Sequence, residues 1–231
     1  MMSNLIGSDA QKRAAAARAV AAIDDGMIVG LGSGSTAEMA IEELAARIAR
    51  GLRISGIPTS ERSAALARQL NVPLTDFARH RRIDVTIDGA DQVKRGSLEL
   101  IKGRGGALLR EKIVASASNR MIVVVDEAKL VDQLGGATPL PVEIVAFGWQ
   151  TVLDRLAALG CEPGLRVAAG RNFVTDNGNY IADCAFSRIA DPAALHDALS
   201  RIVGVVESGL FIGLVSRIVV GRPSGVEVIE R

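Results

Sequence analysis

The sequence predicts an α/β protein in two parts: a parallel sheet covered by helices, then a smaller α+β unit. Three observations predict it. Short apolar runs alternate with helical segments through residues 27–90, the pattern of parallel strands joined by crossover helices. Gly-rich loops stand where strands give way to helices, at Gly32-Ser33-Gly34-Ser35-Thr36 and at Lys102-Gly103-Arg104-Gly105-Gly106. Past Gly135-Gly136-Ala137-Thr138-Pro139 the order becomes strand, helix, strand, strand, helix, strand, the split arrangement of a ferredoxin-like domain.

Ser8 and Asp9 are placed to cap an Ala-rich helix reaching about residue 23. Residues 27–31 read as a short buried strand, and the helix after the first Gly-rich loop puts Ala37, Ala40, Ile41, Leu44 and Ile48 on one face before Gly51 stops it. A second strand at 53–57, a helix at 60–70 ended by Asn71 and a third strand at 83–87 follow. Residues 98–101 return as a strand, 107–118 form a third helix, and 121–125 are apolar enough for a central strand. In the second part, strands at 142–145, 165–168 and 180–186 and helices from Trp149 and from Asp191-Pro192 fit the same pattern. Two strands around Arg222-Pro223-Ser224-Gly225 close the chain and rejoin the first part. The expected division is a Rossmann-like domain of residues 1–133 and 208–231 and a ferredoxin-like domain of residues 134–207.

With 231 residues, 48% apolar and 23% charged, the chain can bury a proper core and is not a disordered one. Lys and Arg total 27 against 26 for Asp and Glu, so no global charge draws it to nucleic acid or anionic lipid. Aromatic residues are 3%, too few for a stacking platform along single strands. Two cysteines, Cys161 and Cys184, suit a reducing compartment and give no disulfide scaffold. No run approaches the ~20 apolar residues of a membrane span. The N-terminal stretch, broken by Arg13 and Arg18, does not read as a signal peptide, so the cytoplasm is the expected compartment.

Three places can carry chemistry. At Gly32-Ser33-Gly34-Ser35-Thr36 a glycine turn exposes backbone N–H groups, the helix start adds partial positive charge, and the hydroxyls add donors, which together suit a phosphate. Gly32, Gly34 and Ala37 also match a dinucleotide fingerprint, but the acidic ribose ligand expected after the second strand is missing at Pro58-Thr59-Ser60. At Asp88-Gly89-Ala90-Asp91, on the ligand-binding edge of the sheet, two carboxylates flanking Gly89 and Ala90 can hold sugar hydroxyls, relay protons or bind Mg²⁺. From Lys102 to Glu111 a strand-end lysine, a glycine loop and a carboxylate one turn into the next helix offer an oxyanion stabiliser and a base. The competing reading of each is structural: capping hydroxyls, solvated turn aspartates, a charged helix start. Lys129, after another strand end, can reach an anion or lie on the surface.

These loops, in this order, resemble the A-type ribose-5-phosphate isomerase family. The matching stretches are GLGSGST (30–36), TIDGADQV (86–93), LIKGRGGALLREK (100–112), VDEAKLV (125–131), PLPVEI (139–144), VTDNGN (174–179) and GVVESGLF (204–211). The resemblance implies interconversion of D-ribose 5-phosphate and D-ribulose 5-phosphate in the pentose phosphate pathway, with no metal and no organic cofactor. It implies Glu111 as the base moving a proton between C2 and C1, Lys102 as the stabiliser of the enediolate oxygen, and Asp88 and Asp91 as contacts to sugar hydroxyls, with Asp88 assisting ring opening. Ser33, Gly34, Ser35 and Thr36, Gly89 and Ala90, and Gly103, Arg104 and Gly105 line the substrate, and Lys129 is a further contact. The resemblance also implies a homodimer or a tetramer, and a small sugar phosphate in place of nucleic acid or membrane. Some members have three glycines after the lysine; Arg104 replaces the second of them here. Which loop holds the phosphate stays open, and an oxidoreductase or a non-catalytic sugar-phosphate sensor are the rival readings.

Overall fold

The computed structural model describes residues 2–230, with side chains described from residue 9 onward. In chain order the elements begin with α1 (Met2–Val20), β1 (Ile28–Leu31), α2 (Ser35–Ile48), β2 (Ser55–Pro58), α3 (Glu61–Gln69) and β3 (Val85–Asp88). Next come β4 (Gln92–Lys94), β5 (Leu100–Ile101), α4 (Leu108–Ser116), β6 (Met121–Asp126), a 3-10 turn (Glu127–Lys129) and β7 (Leu130–Val131). Then follow β8 (Leu140–Ile144), α5 (Trp149–Ala157), β9 (Glu162–Leu165), β10 (Val167–Ala168), β11 (Arg171–Asn172) and β12 (Tyr180–Ala185). The last are α6 (Pro192–Ser200), β13 (Val205–Ser208), β14 (Leu210–Phe211), β15 (Arg217–Arg222) and β16 (Gly225–Glu230).

The chain folds as two units, one containing the segment up to Ala90, Arg110–Lys129 and the segment from Leu214, the other Asp91–Leu109 and Leu130–Gly213. The first unit holds a six-stranded sheet in the order β16-β15-β6-β3-β1-β2. All neighbours are parallel except the antiparallel edge pair β15 and β16. After β1 the chain builds β2 on one side and β3 on the other, which makes the carboxyl ends of β1 and β3 a topological switch point. β6 is buried along its whole length, as its unbroken apolar run requires.

Small side chains let α1 lie close on this sheet. Ala15, Ala16 and Ala19 join Ile41 and Leu44 of α2 and Val29, Val85, Val124 and Val219 of the strands in one core. At Gly221 a Cβ would lie 2.2 Å from the Gln11 carbonyl oxygen, so the helix backbone rests on β15 itself. α1 starts at Met2, which corrects the expected cap at Ser8 and Asp9. With residues 2–7 already helical, the N–H groups near Ser8 are supplied with carbonyls one turn back and need no capping side chain. α3 starts and stops as its sequence suggests: the Ser60 hydroxyl accepts the Ser63 N–H at 3.0 Å, and Asn71 turns out of the helix at φ 56°.

The second unit contains an antiparallel sheet in the order β13-β8-β12-β9, the 4-1-3-2 order of a ferredoxin-like domain when counted within it. Leu140, Val142, Ile144 and Ala182 pack with Val152 and Leu156 of α5 and Leu199 of α6. Cys161 and Cys184 are free thiols in this core, and the Cys184 thiol is pushed up by the influence of the Cys161 thiol and by burial. The unit takes in residues 91–109, 130–133 and 208–213, which the expected division gave to the first. The physical reason is strand pairing: β4 and β5 form a second small sheet with β7 and β14, in the order β14-β5-β4-β7. Among the described residues no helix is long and apolar enough to cross a membrane.

Gly221→Ala is expected to lower stability by about 1–3 kcal/mol, the usual cost of overpacking, because backbone on both sides must move. Urea unfolding of the variant beside the parent measures it; an unchanged midpoint would show that α1 does not rest on β15.

Candidate active site

The carboxyl ends of β1 and β3 carry the first group of residues. Gly32 follows β1, and its N–H donates to the Ile87 carbonyl at 3.0 Å. A Cβ on Gly32 would lie 2.3 Å from Asp88 Oδ1 and 2.6 Å from the Asp88 Cα, so only glycine lets the two strand ends approach this closely. Asp88 is wholly buried, and its Oδ1 accepts the backbone N–H of Ser33 at 3.1 Å and of Gly89 at 2.7 Å. Gly89 adjoins Thr36, whose Cβ stands 3.6 Å from where a Gly89 Cβ would be. Ala90, half-buried, ends this loop.

Ser33 faces inward. Its hydroxyl meets those of Thr59 (2.8 Å), Ser60 (2.7 Å) and Ser63 (3.0 Å), and the Ser63 hydroxyl donates to the Gly32 carbonyl at 2.7 Å. This cluster pins the loop and was not anticipated; the signal for it was the hydroxyl run directly after the second strand. Gly34 is the N-cap residue of α2 at φ 90°, and no side chain among the described residues caps that helix. Ser35 is exposed and Thr36 half-buried at its first turn, where the backbone N–H groups attract an anion.

Beside β3 in the sheet, β6 ends at the buried Asp126, and the following 3-10 turn carries Lys129, half-buried. Lys12 of α1 stands 3.8 Å from Asp126 and is a second cation at this strand end. Its helix gave no sign of this in the sequence, because the contact is made by packing of α1 on β6. Glu111 is buried in the first turn of α4, where the helix dipole favours a carboxylate. The solvated helix start weighed for it is therefore set aside.

In the second unit, Lys102 is also buried: its ammonium lies 5.5 Å from the centre of the Phe211 ring, and its N–H donates to the Gly209 carbonyl at 2.8 Å. Asp91 Oδ2 accepts the Arg104 N–H at 3.0 Å, tying the aspartate to the glycine loop. Gly103 and Gly106 have φ of 109° and 79°, conformations that explain the glycines at both. Arg104 and Gly105 are exposed, and Arg104 lines a cavity of about 320 Å³ with Asp91, Pro139, Pro141, Arg166 and Asp183.

Asp, Glu and Lys are seldom fully buried without a purpose. Here Asp88, Lys102 and Glu111 all are, at three of the positions singled out for chemistry. Two buried carboxylates and a glycine loop in the first unit, and a buried ammonium beside a glycine loop in the second, are each groups suited to acid–base chemistry on a small polar molecule. The comparisons with known proteins are more specific. The family model described as Ribose 5-phosphate isomerase A (phosphoriboisomerase A) matches residues 55–225. The chain is 55% identical over 221 residues to the Ribose-5-phosphate isomerase A of Gloeobacter violaceus, covering 96% of each. It superposes on the ribose 5-phosphate isomerase A of Methanocaldococcus jannaschii with a TM-score of 0.92 at 39% identity, covering 96% of this chain and 98% of that one. A D-ribose-5-phosphate isomerase solved in complex with phospho-erythronic acid gives a TM-score of 0.94 at 38% identity, covering 97% and 99%. The chain belongs to the ribose 5-phosphate isomerase A family.

Gly32→Ala is expected to lower catalytic turnover by about 10²-fold, the scale of a misplacement near 1 Å, by driving Asp88 away from β1. Steady-state kinetics with a check of folding by circular dichroism measures it; full activity would show that the close approach of these strand ends is dispensable.

Proposed function

We propose that the chain interconverts D-ribose 5-phosphate and D-ribulose 5-phosphate through an enediolate. The observation that carries this is the burial of Glu111 and Lys102 in a member of this family. The Glu111 carboxylate takes the proton from C2 of the open-chain aldose. The electron pair forms the C1–C2 double bond, and negative charge develops on the carbonyl oxygen at C1. The Lys102 ammonium stabilises that charge. A proton passes from the C2 hydroxyl oxygen to the C1 oxygen, and Glu111 returns its proton to C1, leaving the ketose. Withdrawn from water, the Lys102 ammonium acts more strongly on the developing oxyanion than it would on a surface.

Asp88 and Asp91 hold sugar hydroxyls, and Asp88 assists ring opening. Supporting this, one oxygen of each is already fixed by backbone N–H groups, which sets the carboxylate plane before substrate arrives. Gly89, Ala90, Gly103, Arg104 and Gly105 border the substrate through their backbone. The α2 start at Gly34, Ser35 and Thr36, with Lys129 and Lys12 at the carboxyl end of β6 in the same sheet, suits the phosphate; Ser33 shapes this loop from beneath. The enzyme works without metal or organic cofactor, in the cytoplasm, as a homodimer or tetramer. Exposed apolar residues of the second unit, Phe147 at 95% and Val203 at 80%, offer surface for such assembly.

The test is an isomerase assay with D-ribose 5-phosphate in EDTA. Turnover is expected to persist in EDTA and to fall by about 10²- to 10⁴-fold in Glu111→Gln, the leverage of a general base. Folded parent protein without turnover, or a Glu111→Gln variant of near-parental rate, would sink the proposal. Sedimentation is expected to give a mass at least twice that of the chain; a monomer at micromolar concentration would remove the assembly from it.

A further inference from the structure

Arg166 follows β9 and lies outside every stretch that the motifs singled out. Its guanidinium makes four hydrogen bonds. Nε and Nη2 donate to the two carboxylate oxygens of Asp183 on β12, and Nη1 donates to the carbonyls of Gly103 (3.0 Å) and Arg104 (2.9 Å). The Arg166 side chain is 14% exposed and lies 5.8 Å from the centre of the Phe173 ring. That ring also closes on the glycine loop, since a Cβ on Gly106 would come within 2.4 Å of it. The Phe173 N–H donates to the Arg166 carbonyl at 2.9 Å, so ring and guanidinium are held as one piece.

What this piece holds is the backbone immediately after Lys102. Two of the next four residues have positive φ, and glycine there permits many conformations. The loop's N–H groups are fixed elsewhere, Lys102 to Gly209 and Arg104 to Asp91. Its carbonyls at 103 and 104 are fixed by Arg166. We propose that Arg166, clamped by Asp183 and Phe173, is a positioning residue that sets the loop at residues 102–106 and thereby the Lys102 ammonium. It touches no reacting atom. A planar fork with donors on three nitrogens suits this task and a lysine does not, because one ammonium cannot span a carboxylate and two carbonyls in this geometry.

This inference rests on the proposed isomerase activity, in which Lys102 acts on charge that exists only in the transition state. Loss of the clamp is therefore expected to lower kcat far more than it raises KM. Arg166→Lys should lower kcat by about 10- to 100-fold with KM changed less than about threefold. In a Lys102→Met background, where no ammonium remains to be positioned, adding Arg166→Lys should cost less than about threefold, a strong departure from additivity. Near-parental kcat in Arg166→Lys, or an equal loss with and without Lys102, would overturn the inference. If Arg166→Lys does not fold, Asp183→Asn, which keeps the guanidinium but weakens its anchor, should show the same split between kcat and KM, and a loss seen in KM alone would overturn it. Parent protein without isomerase turnover would instead overturn the functional reading, and this inference with it.

Discussion

Asp88 is a carboxylate with no exposed surface at the end of a buried parallel strand, and one of its oxygens accepts backbone N–H groups from two different loops. A buried charge is tolerated only when hydrogen bonds replace the water it has lost. That requirement shapes its surroundings. Gly32 lacks a side chain because Asp88 occupies the space, the Ser33 N–H turns toward the carboxylate, and the Ser33 hydroxyl is left to the cluster with Thr59, Ser60 and Ser63. The start of α2 then falls at Ser35 and stays open to an anion. The arrangement needs the β1–β3 adjacency of a doubly wound sheet, since only there do two loops diverge from neighbouring strand ends.

The second unit solves a related problem by other means. In the proposed function its glycine loop has to be open enough for backbone to approach a sugar, and it has to be rigid enough to hold a buried lysine. Glycine supplies the first property and removes the second. Rigidity comes from side chains outside the loop: Asp91 on its N–H side, Arg166 on its carbonyl side, and Phe173 against Gly106. The ribbon of β10 and β11 separates Arg166 from Phe173 in the chain, and the backbone bond between the two residues closes it. The ribbon thus has a reason to interrupt the ferredoxin-like order.

Much of this was legible residue by residue. The strand before GSGST, the helix after it, the apolar β6 and the Asp191-Pro192 start of α6 all follow from patterns a few residues long. The same holds for Asp88, Lys102 and Glu111, which stand at strand ends or a helix start beside glycines. What could not be read locally shares one cause. The start of α1 ahead of Ser8, the pairing of residues 91–109 and the burial of Glu111 each concern what a segment packs or pairs with. Strands of two or three residues such as β4, β5, β7 and β14 carry almost no periodicity of their own, and become a sheet only by pairing with one another, β5 with β14 across more than a hundred residues.

By itself the sequence determined the local conformations, the α/β class, the family and the residue types available for acid–base chemistry. These depend on side-chain volume, backbone freedom and hydrogen-bonding groups within a turn or two of each residue. Only the tertiary structure decided that Asp88, Lys102 and Glu111 are withdrawn from water, that Lys12 stands beside Asp126, that three hydroxyls lie under Ser33, and that Arg166 holds the loop after Lys102. Burial and partnership are properties of the packed chain. Arg166 and Gly103 are 63 residues apart, and no local rule joins a guanidinium to a carbonyl that distant until β9 and β12 have paired and brought Asp183 beside it.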